Sequence, residues 1–217
     1  MKVLKFSLFL ALSFLIHVSV SAQKIRMKKG DFTALKSETR MNVVFHYENM
    51  GVGKMTEENY VKEKIEEKNK DKKGSGDTWH SQWLGNRDKY FEPKFMELLK
   101  KGLMDTKLKV SETYDDANYV LHVHTTHTEP GWNIGIMKQY AFISFELELK
   151  EASSGKTLAL MEMDDVRGTD AMGFDFDVAK RLAEGYAKAG KEFAKYLTKN
   201  ELKVAKAPKK KKKKKRG

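Results

Sequence analysis

Residues 141–150 read Ala-Phe-Ile-Ser-Phe-Glu-Leu-Glu-Leu-Lys. Ala141, Ile143, Phe145, Leu147 and Leu149 alternate with Phe142, Ser144, Glu146, Glu148 and Lys150. A period of two puts successive side chains on opposite faces of a strand, so this stretch is a strand with one apolar side. Ser153-Ser154-Gly155 is a turn signal, and residues 158–163 return as a hairpin partner. Upstream, residues 118–126 place Tyr119, Leu121 and Val123 on one side before Glu129-Pro130-Gly131 interrupts the run. Residues 41–47 alternate in the same way, with Met41, Val43, Phe45 and Tyr47 together.

Between the strands at 41–47 and 118–126 lies a helical region. Residues 49–54, with Gly51 and Gly53, read as a loop. Thr56 is placed to cap a helix whose first turn carries Glu57 and Glu58, with Tyr60, Val61 and Ile65 inward. Residues 70–76 form a polar linker, and Asp77 is the expected cap of a second helical stretch containing Trp79 and Trp83. A break is expected near Gly85-Asn86. Tyr90, Phe91, Phe95, Leu98 and Leu99 then keep helical spacing up to Gly102, with Pro93 near a first turn. Leu108 and Val110 suggest a short strand. A last helix, capped by Asp175 or Asp177, runs to about residue 199, its Ala content with Gly185 and Gly190 suiting close approach to a sheet.

The long crossover favours a parallel pair between the first strand and the strand after the helices, and the later strands follow as antiparallel neighbours. The expected fold is α+β: a two-layer sandwich, with a mixed sheet of about five strands and helices mainly on one face. The organisation expected is a signal peptide at 1–22, one α/β domain at 23–207 and a basic tail at 208–217.

The chain has 217 residues, no cysteine and three prolines, and 40% of its residues are apolar. This excludes a disulfide-stapled scaffold and thiol chemistry. Lys2 and Lys5 precede an apolar run at 6–15, and Val20-Ser21-Ala22 offers small residues at a cleavage site, so export is expected, with no transmembrane segment after cleavage. Lys209, Lys210, Lys211, Lys212, Lys213, Lys214, Lys215 and Arg216 form an unbroken basic run. The net charge is +12, of which this run holds +8 and the signal +2. The remainder is close to neutral, so the high isoelectric point belongs to the tail. The run lacks the interleaved aromatics of a nucleic-acid surface, so no specific nucleic acid is expected. Its expected partners are anionic envelope surfaces, bound weakly and sensitive to salt; the alternative is a tail that only adds solubility.

Four blocks carry a resemblance. They are Gly30-Asp31-Phe32 with Leu35 and residues 41–54; Phe91-Glu92-Pro93-Lys94-Phe95; residues 125–137; and Gly173-Phe174-Asp175-Phe176-Asp177 with residues 187–192. Together they resemble a family of exported bacterial proteins of unknown function, over about residues 30–197. The resemblance implies no reaction, cofactor or catalytic residue. Residues 116–196 also resemble, in the order of their elements, small α/β envelope domains such as the amino-terminal domain of the Tol-system translocation protein. That likeness implies a scaffolding or interaction role and no more.

His122 and His124 are the candidate for chemistry. Two apart on a strand, their imidazoles project from one face and can supply two ligands to zinc, copper or nickel. His127 has the opposite parity, and His46 or His80 would complete the set if the fold brought one close. Two-residue spacing is equally that of ordinary strand residues, so no cofactor is assigned. Trp132, with Glu129 in the same Pro/Gly loop, is a candidate ligand anchor or a turn residue folded onto the core. Trp79, Trp83 and Tyr90 read as an aromatic face for a glycan or peptide, or as core. Asp164, Asp165, Asp170, Asp175 and Asp177 do not match a calcium loop. Gly51-Val52-Gly53-Lys54 is not a phosphate loop, and Gly74-Ser75-Gly76 is not a nucleophile elbow. The expected function is a non-catalytic binding module of the envelope, whose partner is an unidentified envelope protein or polymer. The alternatives are a metal-dependent or other hydrolase near His122 and His124, and a protein tethered by its Lys tail.

Overall fold

The structure is a computed structural model that describes residues 23–133, 137–168 and 177–202. The expected signal peptide and Lys tail lie outside these residues. The strands are β1 (Lys24–Gly30), β2 (Arg40–His46), β3 (Gly51–Val52), β4 (Met55–Thr56), β5 (Lys109–Ser111), β6 (Tyr119–Glu129), β7 (Trp132–Asn133), β8 (Lys138–Gln139), β9 (Ala141–Glu151) and β10 (Thr157–Gly168). The helices are α1 (Glu57–Asp71), α2 (Ser75–Asn86), α3 (Glu92–Gly102) and α4 (Val178–Tyr196). No helix among the described residues is long and apolar enough to cross a membrane.

The main sheet has the order β1-β10-β9-β6-β2-β5, with the β3–β4 hairpin attached to the far end of β6. β2 lies parallel to both β5 and β6, as its long crossover requires, and β6, β9, β10 and β1 are antiparallel in turn. The α+β sandwich is therefore the observed architecture, but the sheet has eight strands, not about five. β7 and β8 form a separate two-stranded ribbon.

The additional strands have a common cause. β1 reads Lys-Ile-Arg-Met-Lys-Lys-Gly and buries none of its residues; only Ile25 and Met27 alternate with its charges, a signal too short to announce a strand. It is an edge strand, and its charges suit an edge that must not recruit other strands. β3 and β4 have two residues each, too few for a period.

The buried face of the sheet carries Met41, Val43, Leu121, Val123, Ile143, Phe145, Leu147, Leu149, Met161 and Met163. α3 and α4 cover it with Phe95, Leu99, Leu182, Tyr186 and Phe193. Burying one such side chain contributes about 1.5–3 kcal/mol, and a one-residue slip of β9 would turn its whole apolar set outward. Among the described residues no helix covers the opposite face at β2, where Val44 is 38% exposed.

Two helix boundaries differ from the sequence reading. α2 begins at Ser75 behind Gly74, which has φ +83°, so Asp77 lies inside the first turn and is not the cap. No break occurs at Gly85-Asn86. A π-helical turn at Arg87–Phe91 carries α2 directly into α3, with Pro93 in the first turn of α3. Thr56 caps α1, its hydroxyl accepting from Asn59 N at 3.3 Å. Asp177 caps α4, its Oδ1 accepting from Ala179 N at 2.9 Å. Gly185 does face the sheet, at Ile143 of β9, but Gly190 faces the backbone of α3 at Phe95.

Candidate functional site

The uncovered sheet face brings three histidines together. The β2–β6 register pairs His46 with His124 and Val44 with His122. Parity on β6 places His122 and His124 on the same side, and the parallel pairing adds His46 beside them. One nitrogen of each ring lies within 4.8 Å of the others. His46 Nε2 and His122 Nδ1 are 2.8 Å apart, in a hydrogen bond whose donor depends on the tautomers. The His46 ring stacks on His124 at 4.4 Å between centroids and on His122 at 5.0 Å. All three are half-buried.

Of the other candidate histidines, His127 follows a bulge between Thr125 and His127 and is drawn away, its Nε2 donating to the Gly53 carbonyl at 2.8 Å. His80 lies on α2 and is not in the cluster.

Carboxylates border the three rings. Glu148 and Glu146 of β9 pair across from His122 and His124. Glu148 Oε2 lies 3.7 Å from His124 Nε2, and Glu48 Oε2 lies 3.7 Å from His46 Nδ1. Lys150 Nζ is 3.0 Å from Glu148 Oε2. Burial opposes ionisation of Glu148, but hydrogen bonds from Thr157 and Lys150 outweigh it and hold the carboxyl below its ordinary value. Burial is the main cause that lowers both His122 and His124. Lys150 and His46 push His122 the same way, and His46 does so for His124. Both rings are therefore neutral at pH 7, the form in which imidazole ligates metals.

Trp132 is 41% exposed and does not fold onto the core. Its indole N–H donates to Gln139 Oε1 at 2.9 Å across the β7–β8 ribbon. Glu129 accepts from the Gly131 N–H at 3.1 Å and so holds its own turn. Asp164 accepts from Arg26 across the β1–β10 pair; Asp170 and Asp175 lie outside the described residues. Trp79 and Trp83 stack on one another at 5.7 Å and contact Tyr60 of α1, while Tyr90 lies instead under Lys89.

A polar chain through the helix–sheet interface has no counterpart in the sequence pattern. The Thr125 hydroxyl lies 2.7 Å from the Tyr186 hydroxyl, which hydrogen bonds to Tyr47, and Tyr47 donates to Glu92 at 3.1 Å. Arg87 lies over the Tyr47 ring and pairs with Glu57, which also accepts from the Trp83 indole at 2.6 Å. Burial is the main cause that raises Glu92 above the ordinary carboxylate value. These residues come from widely separated parts of the chain, and no spacing links them.

No protein-family model matches the sequence, and no curated protein matches it. Among solved structures, the PelC dodecamer from Paraburkholderia phytofirmans aligns at 12% identity and a TM-score of 0.39, over 78% of this chain and 96% of that one. Protein XCC0632 from Xanthomonas campestris, of family DUF330, aligns at 8% identity and 0.36, over 80% and 91%. A neuraminyllactose-binding hemagglutinin homolog from Helicobacter pylori aligns at 16% identity and 0.35, over 77% and 87%. TM-scores below 0.5 assign this chain neither to the fold nor to the activity of these proteins.

Proposed function

We propose that the protein is an exported, non-catalytic binding module that holds one divalent transition-metal ion, zinc or copper, through His46, His122 and His124. The observation that carries the metal site is the meeting of three imidazoles whose donor nitrogens lie within 4.8 Å of one another. Two nitrogens bound to one tetrahedral zinc at 2.0–2.1 Å sit about 3.3 Å apart. The His46–His122 separation of 2.8 Å is close to that, and a nitrogen of His124 lies within 4.8 Å of both. Three imidazoles select zinc, copper or nickel over magnesium or calcium, which prefer oxygen ligands. Glu148 and Glu48 stand where a fourth ligand or an orienting hydrogen bond would come from. A hydrolytic role would further require a substrate cleft beside the ion. A binding role asks only for this ligand set on an accessible face. Export rests on the leader-like residues 1–22, and an envelope setting rests on those residues together with the basic tail.

The test is metal content and affinity of the purified full-length protein. After incubation with zinc or copper and desalting, about one equivalent is expected, and calorimetry should show one site. Metal at 100 times its dissociation constant stabilises the fold by about 2.7 kcal/mol, a rise of about 5–10 °C for a chain of this size. His46→Ala, His122→Ala and His124→Ala should each reduce both readouts, and His80→Ala should not. Retention of no metal, with no thermal shift from either ion, would overturn the proposal.

A further inference from the structure

A second site is built away from the histidines, where α2 meets the start of α4. On α2, Trp79, Gln82, Trp83 and Asn86 follow the i, i+3, i+4, i+7 pattern that defines one helical face. That face lines a cleft of about 210 Å³ together with Tyr60 and Asp177. Gln82 is exposed and Asn86 half-buried, so the two amides stand at the open rim of the cleft, within reach of a ligand. Neither amide hydrogen bonds to another side chain among the described residues. Tyr60, Trp79 and Trp83 touch one another, with ring centroids 5.4–6.1 Å apart. They form the aromatic wall of the cleft, with Trp79 and Tyr60 half-buried and accessible and Trp83 buried behind them, and not a cage that encloses a cation. The Trp83 indole N–H is already engaged with Glu57 and is not available to a ligand. Asp177 is held in place because its Oδ1 caps α4. Among the described residues no lysine or arginine lines the cleft, so none of them places a fixed positive charge there to select an anion.

From this combination we infer that the cleft of Tyr60, Trp79, Trp83, Gln82, Asn86 and Asp177 binds a neutral pyranose ring. Such a ring has an apolar face of C–H groups that lies against aromatic surface, and hydroxyls at its edge that donate and accept. Each amide supplies both a donor and an acceptor, and the carboxylate supplies acceptors. The volume lies below the roughly 300 Å³ at which drug-sized pockets begin, which suits a single ring or the end unit of a chain. The inference is independent of the metal site.

The test is a fluorescence titration of the full-length protein, because two of its three tryptophans form the wall. Glucose, galactose, mannose and N-acetylglucosamine are each added to about 50 mM, with mannitol as a linear polyol control. A dissociation constant near 1 mM is what a single sugar ring can be expected to reach. A saturable change with at least one pyranose, and none with mannitol, is expected. Trp79→Ala should abolish it. If that variant does not fold, the Gln82→Leu/Asn86→Leu pair, which removes the hydroxyl partners without removing the wall, should weaken binding at least tenfold. His122→Ala should leave the response unchanged. Absence of a saturable response to all four sugars would overturn the inference, as would a response equal to that of mannitol or one unchanged in the amide variant.

Discussion

Replacing Gly190 by alanine tests the contact that fixes the helical layer. A Cβ at this position would lie 2.2 Å from the Phe95 carbonyl oxygen, 3.0 Å from its carbonyl carbon and 3.2 Å from its Cα. All three are backbone atoms, so no side-chain rotation relieves the overlap, and α3 and α4 must part by about 1 Å. A gap of 0.5–1 Å forfeits about a quarter to a half of each dispersion contact across the seam, each worth about 0.1–0.2 kcal/mol. Phe95, Leu99, Ala189 and Phe193, all fully buried, lie in these two helices. A few tens of such contacts lose about 2–3 kcal/mol, within the range for overpacking. Against this, glycine to alanine in a helix gains about 1 kcal/mol. The net expectation is a loss of about 1–2 kcal/mol, or about 2–8 °C in melting temperature. Gly85 is the control, because a Cβ there meets nothing within 4 Å. Gly85→Ala should instead gain about 0.5–1 kcal/mol. Thermal and urea unfolding followed by circular dichroism reads both. A Gly190→Ala protein as stable as the parent, beside a stabilised Gly85→Ala, would refute the packing argument.

Tyr186→Phe removes a fully buried hydroxyl and leaves its partner Thr125 unpaired, at an expected cost of about 1–3 kcal/mol in urea unfolding. Glu92 has a folded pKa raised mainly by burial, so its contribution to stability is full only below the unfolded value of about 4.3 and is lost as pH rises through the folded value. Glu92→Gln, which can still accept from Tyr47, should therefore raise the melting temperature at pH 7 and confer no gain below about pH 4; equal gains at both would contradict this reading. Metal binding should be present at pH 7, where His122 and His124 are held neutral, and be lost as falling pH protonates them, as calorimetry across pH would show. Deleting residues 209–216 should abolish sedimentation with anionic vesicles, and salt near 0.5 M should do the same to the full chain, because screening shortens to well under about 10 Å.

The strand at 141–150 and its hairpin return are legible in the sequence because alternation is a local property of the chain, and only one register buries five apolar residues in a row. The same parity argument puts His122 and His124 on one face from their spacing alone. The parallel pairing of the first strand follows from the length of the crossover. What the sequence leaves open is which third histidine joins the pair, since residues 46 and 124 become neighbours only through the register of β2 on β6. Burial of Met41 and Val43 under the helical layer fixes the face on which His46 lies, and the register of β2 on β6 then makes His124 its neighbour. β1 is faint in the sequence because this edge strand buries no residue and alternates only Ile25 and Met27 with its charges. The expected break at Gly85-Asn86 does not occur because burial of Trp83 and Phe91 on either side of the junction holds the helix continuous against its weak local propensity. Local periodicity thus determines the main elements and the face of each side chain. Contacts between residues far apart in the chain decide the neighbours, because only packing in three dimensions makes one pairing lower in free energy than the others.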